Sequence, residues 1–242
     1  MGFEPVGQVF GAAVYSAGSD SRYTCPGSFG PLVQTMDLAR HTAVGRMATE
    51  CAELGGHGVV GVRLTRGSFP LGGPQCSVIG TAVRARDAVQ RPPVPFTAEV
   101  SGQGFAKLVM AGWVPAGLVL GVSIRSRHDD RQTSRQARWG SGNAEVTGWT
   151  ELVSQSRLDA RRQLENDVER LGADGVVIAT MEMGVRQRDC PSAVGLSDHV
   201  VETTLIGTAI ARFARGGQRR DRPALAIMSL DPQRRRAART RM

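Results

Sequence analysis

Residues 54–62 read LGGHGVVGV and residues 171–179 read LGADGVVIA, and this pair of segments decides the fold. Two further pairs flank it in the same order: GFEPVGQVFGAAV at 2–14 returns as GWVPAGLVLGVSI at 112–124, and VIGTAV at 78–83 returns as LIGTAI at 205–210. Of the 28 positions in these blocks, 14 are identical. Three ordered blocks, separated by segments that differ in length, indicate an internal duplication.

Each copy has the pattern of one helix among three strands. Apolar residues at helical spacing precede both LG pairs: Ala43, Met47, Cys51 and Leu54 in the first copy, and Ala160, Leu164, Val168 and Leu171 in the second. Two apolar segments then follow, separated by polar loops at 67–75 and 186–198, and neighbouring strands joined in this way usually pair antiparallel. The predicted fold class is α+β, with two tandem β-α-β-β units, each a three-stranded antiparallel sheet with one long helix.

The domain organisation follows from these repeats. We predict a first unit over residues 1–90, a Pro-rich linker at 91–95 and a second unit over 96–213. The second unit begins with a strand and a short helix that the first unit lacks. Residues 214–242 form an Arg-rich tail, which we predict to be flexible.

The net charge of +8 lies in the C-terminal tail. From Arg212 onward there are ten arginines and two aspartates, whereas residues 1–211 balance to zero. Arg234, Arg235 and Arg236 form the densest part of this tail and are the candidate contacts to nucleic acid or to another acidic partner. A tail that only solubilises the protein is the alternative interpretation.

Composition argues against a membrane or secreted protein. No apolar run approaches the roughly 20 residues that span a bilayer, and no signal peptide is visible at the N-terminus. The four cysteines are widely spaced and do not form a C-x-x-C pair. We therefore expect a cytoplasmic protein with reduced cysteines.

The order LGADGVVIATMEM and then LIGTAI resembles the YbjQ-like family, whose name attributes heavy-metal binding to its members. The first unit carries the same signature as LGGHGVVGVRLTRG followed by VIGTAVRAR. The resemblance implies a β-α-β-β fold similar to the dodecin subunit and assembly of the chain into homo-oligomeric rings.

The metal-binding hypothesis has weak support in the sequence. Soft-metal sites need three or four converging Cys or His ligands. The candidates are dispersed. Cys51, Cys76 and His57 belong to the first unit, and the second copy does not keep them. Cys25, Cys190 and His41 lie near loops or helix starts. Burial in the core or a role at a helix end explains them more simply. We predict no metal site and no cofactor.

Catalytic signatures are equally weak. None of the histidines, which include His128 and His199, has a nucleophile in its sequence context, and no phosphate-binding loop occurs. Asp174 is interpreted as a turn residue, and Asp129 and Asp130 as part of a solvated Arg-rich loop over residues 125–147. The sequence thus favours a non-enzymatic, ring-forming binding or scaffold protein of the YbjQ-like type. Nucleic-acid binding through the tail is the first alternative, and metal-ion binding, as the family name suggests, is the second.

Overall fold

A computed structural model describes residues 2–16, 29–68, 73–86, 92–138, 142–190, 197–212 and 228–229. The elements of the first unit are β1 (Phe3–Val14), α1 (Gly30–Glu53), β2 (Gly58–Ser68) and β3 (Pro74–Ala85). Those that follow are β4 (Phe96–Thr97), α2 (Gly102–Met110), β5 (Trp113–His128), α3 (Arg131–Gln136), α4 (Thr147–Arg170), β6 (Gly175–Asp189), β7 (Ser197–Arg212) and β8 (Met228–Ser229).

The strands form two sheets, in the orders β1-β3-β2-β4 and β5-β7-β6-β8, which differ only in that β4 runs parallel to β2 whereas β8 runs antiparallel to β6. The three long strands of each sheet are antiparallel, which confirms the α+β class and the tandem β-α-β-β units. Each sheet also has a fourth strand of two residues. Strand β4 pairs with Gly58 and Val59, and β8 pairs with Gly175 and Val176, the equivalent positions of the second unit.

A glycine stands at the equivalent position of the first strand in both copies, where the long helix crosses that strand, and the reason is steric. A Cβ atom at Gly11 would overlap the backbone oxygen of Ala43, and one at Gly121 would overlap that of Ala160. The long helix therefore lies directly on the backbone of the first strand in both units. Only glycine permits this approach.

The turn after each helix is fixed by a side chain. The backbone N–H of Ala85 donates to Nδ1 of His57 at 3.0 Å, and the backbone N–H of Arg212 donates to Oδ2 of Asp174 at 2.9 Å. His57 and Asp174 are equivalent in the repeat. The imidazole at the end of β3 and the carboxylate at the end of β7 therefore accept the same backbone hydrogen bond.

The second sheet is packed on both faces along β5 and β7, whereas most of β6 is exposed. Val119 points to α4 and packs in the core of the second unit. Leu118, Leu120 and Val122, which alternate with it along the strand, join the core of the first unit together with Ile206. The core of the first unit therefore includes side chains of the second sheet, and the first unit covers the outer face of that sheet.

Two predicted loops are shorter than expected. Strand β6 continues to Asp189 and β7 begins at Ser197, within the segment 186–198 that was interpreted as a loop. The segment 125–147, interpreted as a solvated loop, contains the end of β5 and helix α3. These strand ends are mostly polar, so they lack the alternation of apolar and polar residues by which a strand is recognised. Among the described residues, no helix is long and apolar enough to span a membrane.

Candidate functional site

A buried arginine joins the two units. Arg40 on α1 is only 2% exposed, and its Nη2 donates to Oδ2 of Asp167 on α4 at 2.9 Å and to Oδ1 of Asp37 at 2.7 Å. Its Nη1 donates to the backbone oxygen of Leu118 at 3.5 Å. Burial raises the pKa of Asp37, but hydrogen bonding by His41 and the charge of Arg40 outweigh burial and hold that pKa well below its usual value.

A second arginine crosses the same junction. Nη1 of Arg66 on β2 lies 3.1 Å from Oε1 of Glu202, and its Nη2 donates to Oγ1 of Thr204 at 2.5 Å. Both partners lie on β7, on the face of the second sheet that the first unit covers. The junction therefore combines apolar burial with two charge-assisted contacts, which fix the orientation of the units.

The helix carboxylate at this junction has an equivalent in the first unit. Asp167 accepts the backbone N–H of Leu120 at 3.3 Å, and Glu50 accepts the backbone N–H of Phe10 at 2.7 Å. Each carboxylate thus satisfies a donor on the outer edge of the first strand of its sheet. Asp167 also meets Arg40, whereas Glu50 has no ion-pair partner among the described residues.

Apolar residues on the outer face of the first sheet are exposed at positions where the outer face of the second sheet is buried. Phe10 is 53% exposed, whereas its equivalent Leu120 is 2% exposed. Val14 and Ile79 are likewise exposed. Large apolar side chains grouped on one exposed sheet face are typical of an interaction surface.

Three potential ligands converge at the far end of the second sheet. One donor atom each of His128, Cys190 and Asp198 lies within 4.8 Å of the others. Nε2 of His128 lies 3.9 Å from Sγ of Cys190, and its Nδ1 contacts the Asp198 carboxylate. Asp198 is fully buried, and burial raises its pKa, although the nearby charge of His199 opposes this.

The donor set of this cluster fits a zinc-like ion. Imidazole nitrogen, thiolate sulfur and carboxylate oxygen are all zinc ligands, and a carboxylate commonly orients the imidazole of a ligating histidine through its other nitrogen. The distance of 3.9 Å between Cys190 Sγ and His128 Nε2 exceeds the range in which a base activates a thiol. The arrangement therefore favours shared ligation over nucleophilic catalysis.

The neighbouring acid, Asp129, has a structural role. Its Oδ1 accepts from Nε1 of Trp149 at 2.9 Å and lies 3.1 Å from Nδ1 of His199. The rings of Trp149 and His199 also contact each other, with centroids 4.6 Å apart. These contacts anchor the start of α4 to β7.

An apolar cavity lies beside α2 on the outer face of the first sheet. Its volume is about 820 Å³, and its lining includes Phe3, Val60 and Phe105. Phe105 also packs edge-to-face on Phe3 and stacks on Phe96. The lining is largely hydrophobic, and its side chains do not indicate a specific ligand.

The other candidate ligands that the structure describes lie apart from the cluster at the far end of the second sheet. Cys51 is buried, its Sγ donates to the backbone oxygen of Gly58 at 3.4 Å, and burial raises its pKa. Burial raises the pKa of Cys76 to about 11. His41 lies beside Asp37, at 3.4 Å. None of the three joins another cluster of potential metal ligands in the part of the chain that the structure describes.

Some predicted sites lie outside the described residues. These are Cys25 and the tail arginines Arg234, Arg235 and Arg236. Nucleic-acid binding through the tail therefore stays a prediction.

The sequence alone does not predict that His128, Cys190 and Asp198 lie close together. His128 and Cys190 are 62 positions apart, and both were assigned to loops. The extended β5, β6 and β7 bring them together, and the unrecognised length of these strands hid the site.

The architecture described above is that of a tandem YbjQ-like protein, and comparisons with known proteins agree. The profile of the family described as "Putative heavy-metal-binding" matches residues 4–86, within the first unit. The protein named "Encapsulin nanocompartment protein Rv1762c" of Mycobacterium tuberculosis is 33% identical over 224 residues, which cover 89% of this chain and 81% of that protein. A "UPF0145 protein" of Halorubrum lacusprofundi is 38% identical over 61 residues, which cover 25% of this chain and 58% of that protein.

No solved structure matches the chain significantly. The length and identity of the match to the mycobacterial protein, together with the family profile, show that the chain belongs to the YbjQ-like family, with two tandem copies of its unit.

Proposed function

We propose that this chain is a non-enzymatic homo-oligomer that forms rings in the cytoplasm and acts as a scaffold or binding component of an encapsulin nanocompartment. One observation carries the assembly. The outer face of the second sheet is buried by another YbjQ-like unit, whereas the equivalent face of the first sheet, with Phe10, Val14 and Ile79, is exposed. A second copy of the chain supplies the missing unit.

The association with a nanocompartment rests on the mycobacterial relative, whose name states that role for that protein. Because the match covers most of both chains, the comparison includes both units. The contribution of a ring would be structural, since the buried groups at the unit junction are ion pairs and apolar side chains.

Oligomer mass tests the assembly. The chain has a mass of 25.8 kDa, and light scattering at micromolar concentration is expected to give a multiple of it. A single species of 25.8 kDa would contradict the proposal. Co-purification with the encapsulin shell of the source organism tests the second part, with Phe10→Asp as the variant expected to reduce assembly and Gln132→Asp, at an exposed position of α3, as the control.

Metal binding is the second candidate function, and the cluster of His128, Cys190 and Asp198 favours it. Cys190 and His128 would be the ligands that suit a soft or borderline ion, and Asp198 would fix the imidazole or complete the site. Zinc would have a structural role here, because it would link Cys190, which directly follows β6, to the paired ends of β5 and β7.

Retained zinc measures this site directly. After incubation with Zn²⁺ and gel filtration, mass spectrometry is expected to find about one ion per chain, since the cluster supplies one set of ligands. Cys190→Ser is expected to lose it, and Cys76→Ser, a buried thiol outside the cluster, is expected to keep it. Equal zinc in all three proteins, or none in the unsubstituted chain, would contradict metal binding at this site.

A further inference from the structure

The junction between the two units is heterologous, since each unit contributes a different surface. The first unit contributes one side of α1 and the end of β2, which we call the donor surface; it includes Arg40, Leu64 and Arg66. The second unit contributes the outer face of its sheet and the edge where Asp167 lies, which we call the acceptor surface. A contact of this kind leaves an unused acceptor surface on the first unit and an unused donor surface on the second.

The repeat locates the unused donor surface. Helices α1 and α4 have 24 residues each, and β2 and β6 start five positions after them, so that one offset of 117 relates both elements. Leu64 and Arg66 correspond to Met181 and Met183, and Arg40 corresponds to Arg157. Met181 is 50% exposed, and Met183 and Arg157 are exposed as well.

Exposed apolar residues mark the unused acceptor surface in the same way. Phe10 and Ile79 correspond to Leu120 and Ile206, which the internal junction buries. Glu50 corresponds to Asp167 and already accepts the backbone N–H of the edge strand. The unused acceptor surface thus carries the Glu50 carboxylate beside exposed apolar side chains, and the unused donor surface carries Arg157 on α4 and two methionines on β6, so the charges at the equivalent places are opposite in sign.

We propose that copies of the chain associate head to tail, with the α4 and β6 surface of one copy packed on the outer face of the first sheet of the next. Arg157 of one copy pairs with the carboxylate of Glu50 in the other, as Arg40 pairs with Asp167 inside the chain. Met181 and Met183 take the places of Leu64 and Arg66, so that Met183 lies against Gln75 and Ser77 of the next copy, the equivalents of Glu202 and Thr204. This inference rests on the proposed ring assembly and names the two surfaces that build it.

Charge reversal tests the pairing. Arg157→Glu and Glu50→Arg are each expected to reduce the assembly to a species of 25.8 kDa, because each variant loses one half of the repeated contact. Met181→Asp is a second disruptive variant that does not depend on the ion pair. Arg135→Glu, on helix α3, carries the same charge change outside both surfaces and is expected to keep the mass of the unsubstituted chain.

A mixture of the two reversed chains gives the sharpest result. The Glu50→Arg chain keeps its Arg157 and the Arg157→Glu chain keeps its Glu50, so these two groups pair at one contact. The two introduced charges are also opposite in sign and meet at the next contact, so alternating chains assemble. Light scattering of the mixture is expected to show species larger than one chain, whereas each variant alone stays at 25.8 kDa, with unchanged circular dichroism as the check on folding.

The outcomes separate the two proposals. If the unsubstituted chain is a monomer, the ring assembly and this interface both fail. If it is an oligomer whose mass is unchanged by Arg157→Glu and by Met181→Asp, the assembly stands and the interface proposed here is wrong. Two variants that remain monomeric when mixed would likewise overturn the pairing of Arg157 with Glu50.

Discussion

The guanidinium of Arg40 lies 2.9 Å from the carboxylate of Asp167, although 127 positions separate them in the sequence. Both side chains are almost fully buried, and each unit of the duplicated fold contributes one of them. A buried ion pair is not a large source of stability by itself, but the loss of one partner leaves the other charge buried and unpaired, which is destabilising. The pair therefore fixes how the two units dock, and its equivalents, Arg157 and Glu50, remain available for a second copy.

Substitution of Arg40 by methionine is expected to lower the free energy of unfolding by about 3 kcal/mol, because the Asp167 carboxylate loses its partner in the other unit. Arg170 also contacts that carboxylate, so the loss is partial. Urea unfolding measures the change. Arg84→Met, which removes an exposed ion pair with Glu4, is the control and is expected to change stability by less than about 1 kcal/mol. Equal losses in the two variants would contradict the role assigned to Arg40.

Substitution of Gly121 by alanine is expected to destabilise the second unit by roughly 1–3 kcal/mol, because the added Cβ overlaps the backbone oxygen of Ala160. Gly184→Ala is the matched control, since it lies on β6 and a Cβ there meets no atom within 4 Å. Thermal unfolding followed by circular dichroism distinguishes the two variants. A Gly121→Ala protein as stable as the control would show that the helix does not lie on this strand.

The carboxyl group of Glu99 predicts a pH dependence of stability. Burial raises its pKa, only partly offset by the hydrogen bond that Oγ1 of Thr180 donates at 2.9 Å. A raised pKa in the folded state favours the protonated form, so the associated stability is present at acidic pH and is lost as the pH rises through that pKa.

Glu99→Gln is accordingly expected to raise the free energy of unfolding at neutral pH, by roughly 1 kcal/mol, and to have less effect at acidic pH. Urea unfolding at a series of pH values measures the difference between the two proteins. Glu145→Gln, at an exposed position before α4, is the control. A difference that grows toward acidic pH would contradict the assigned direction of the shift.

Much of the fold could be predicted because the duplication repeats its local signals. The LG pairs predict helix ends with a left-handed glycine, and Gly55 and Gly172 have φ angles of 75° and 60°. A short strand and a short helix were also predicted as the start of the second unit; β4 and α2 lie at these positions, but β4 pairs with β2 of the first sheet. Such features depend on a few neighbouring residues, which the sequence displays directly.

The candidate sites could not be predicted in the same way, because they depend on packing between distant segments. No local pattern shows that Arg40 is buried against α4, since an arginine on a helix is ordinarily exposed. The grouping of His128 with Cys190 depends on strand ends whose polar residues gave no strand signal. Comparison of the two units in space, which the sequence alone does not permit, shows which surfaces are used and which remain open.

The central claim is that copies of this chain assemble through a contact equivalent to the one that joins its own two units. The most direct measurement is the mass of the unsubstituted chain by light scattering at micromolar concentration, followed by that of the Arg157→Glu chain under the same conditions. A multiple of 25.8 kDa is expected for the first protein and 25.8 kDa for the second. A mass of 25.8 kDa for the unsubstituted chain would contradict it.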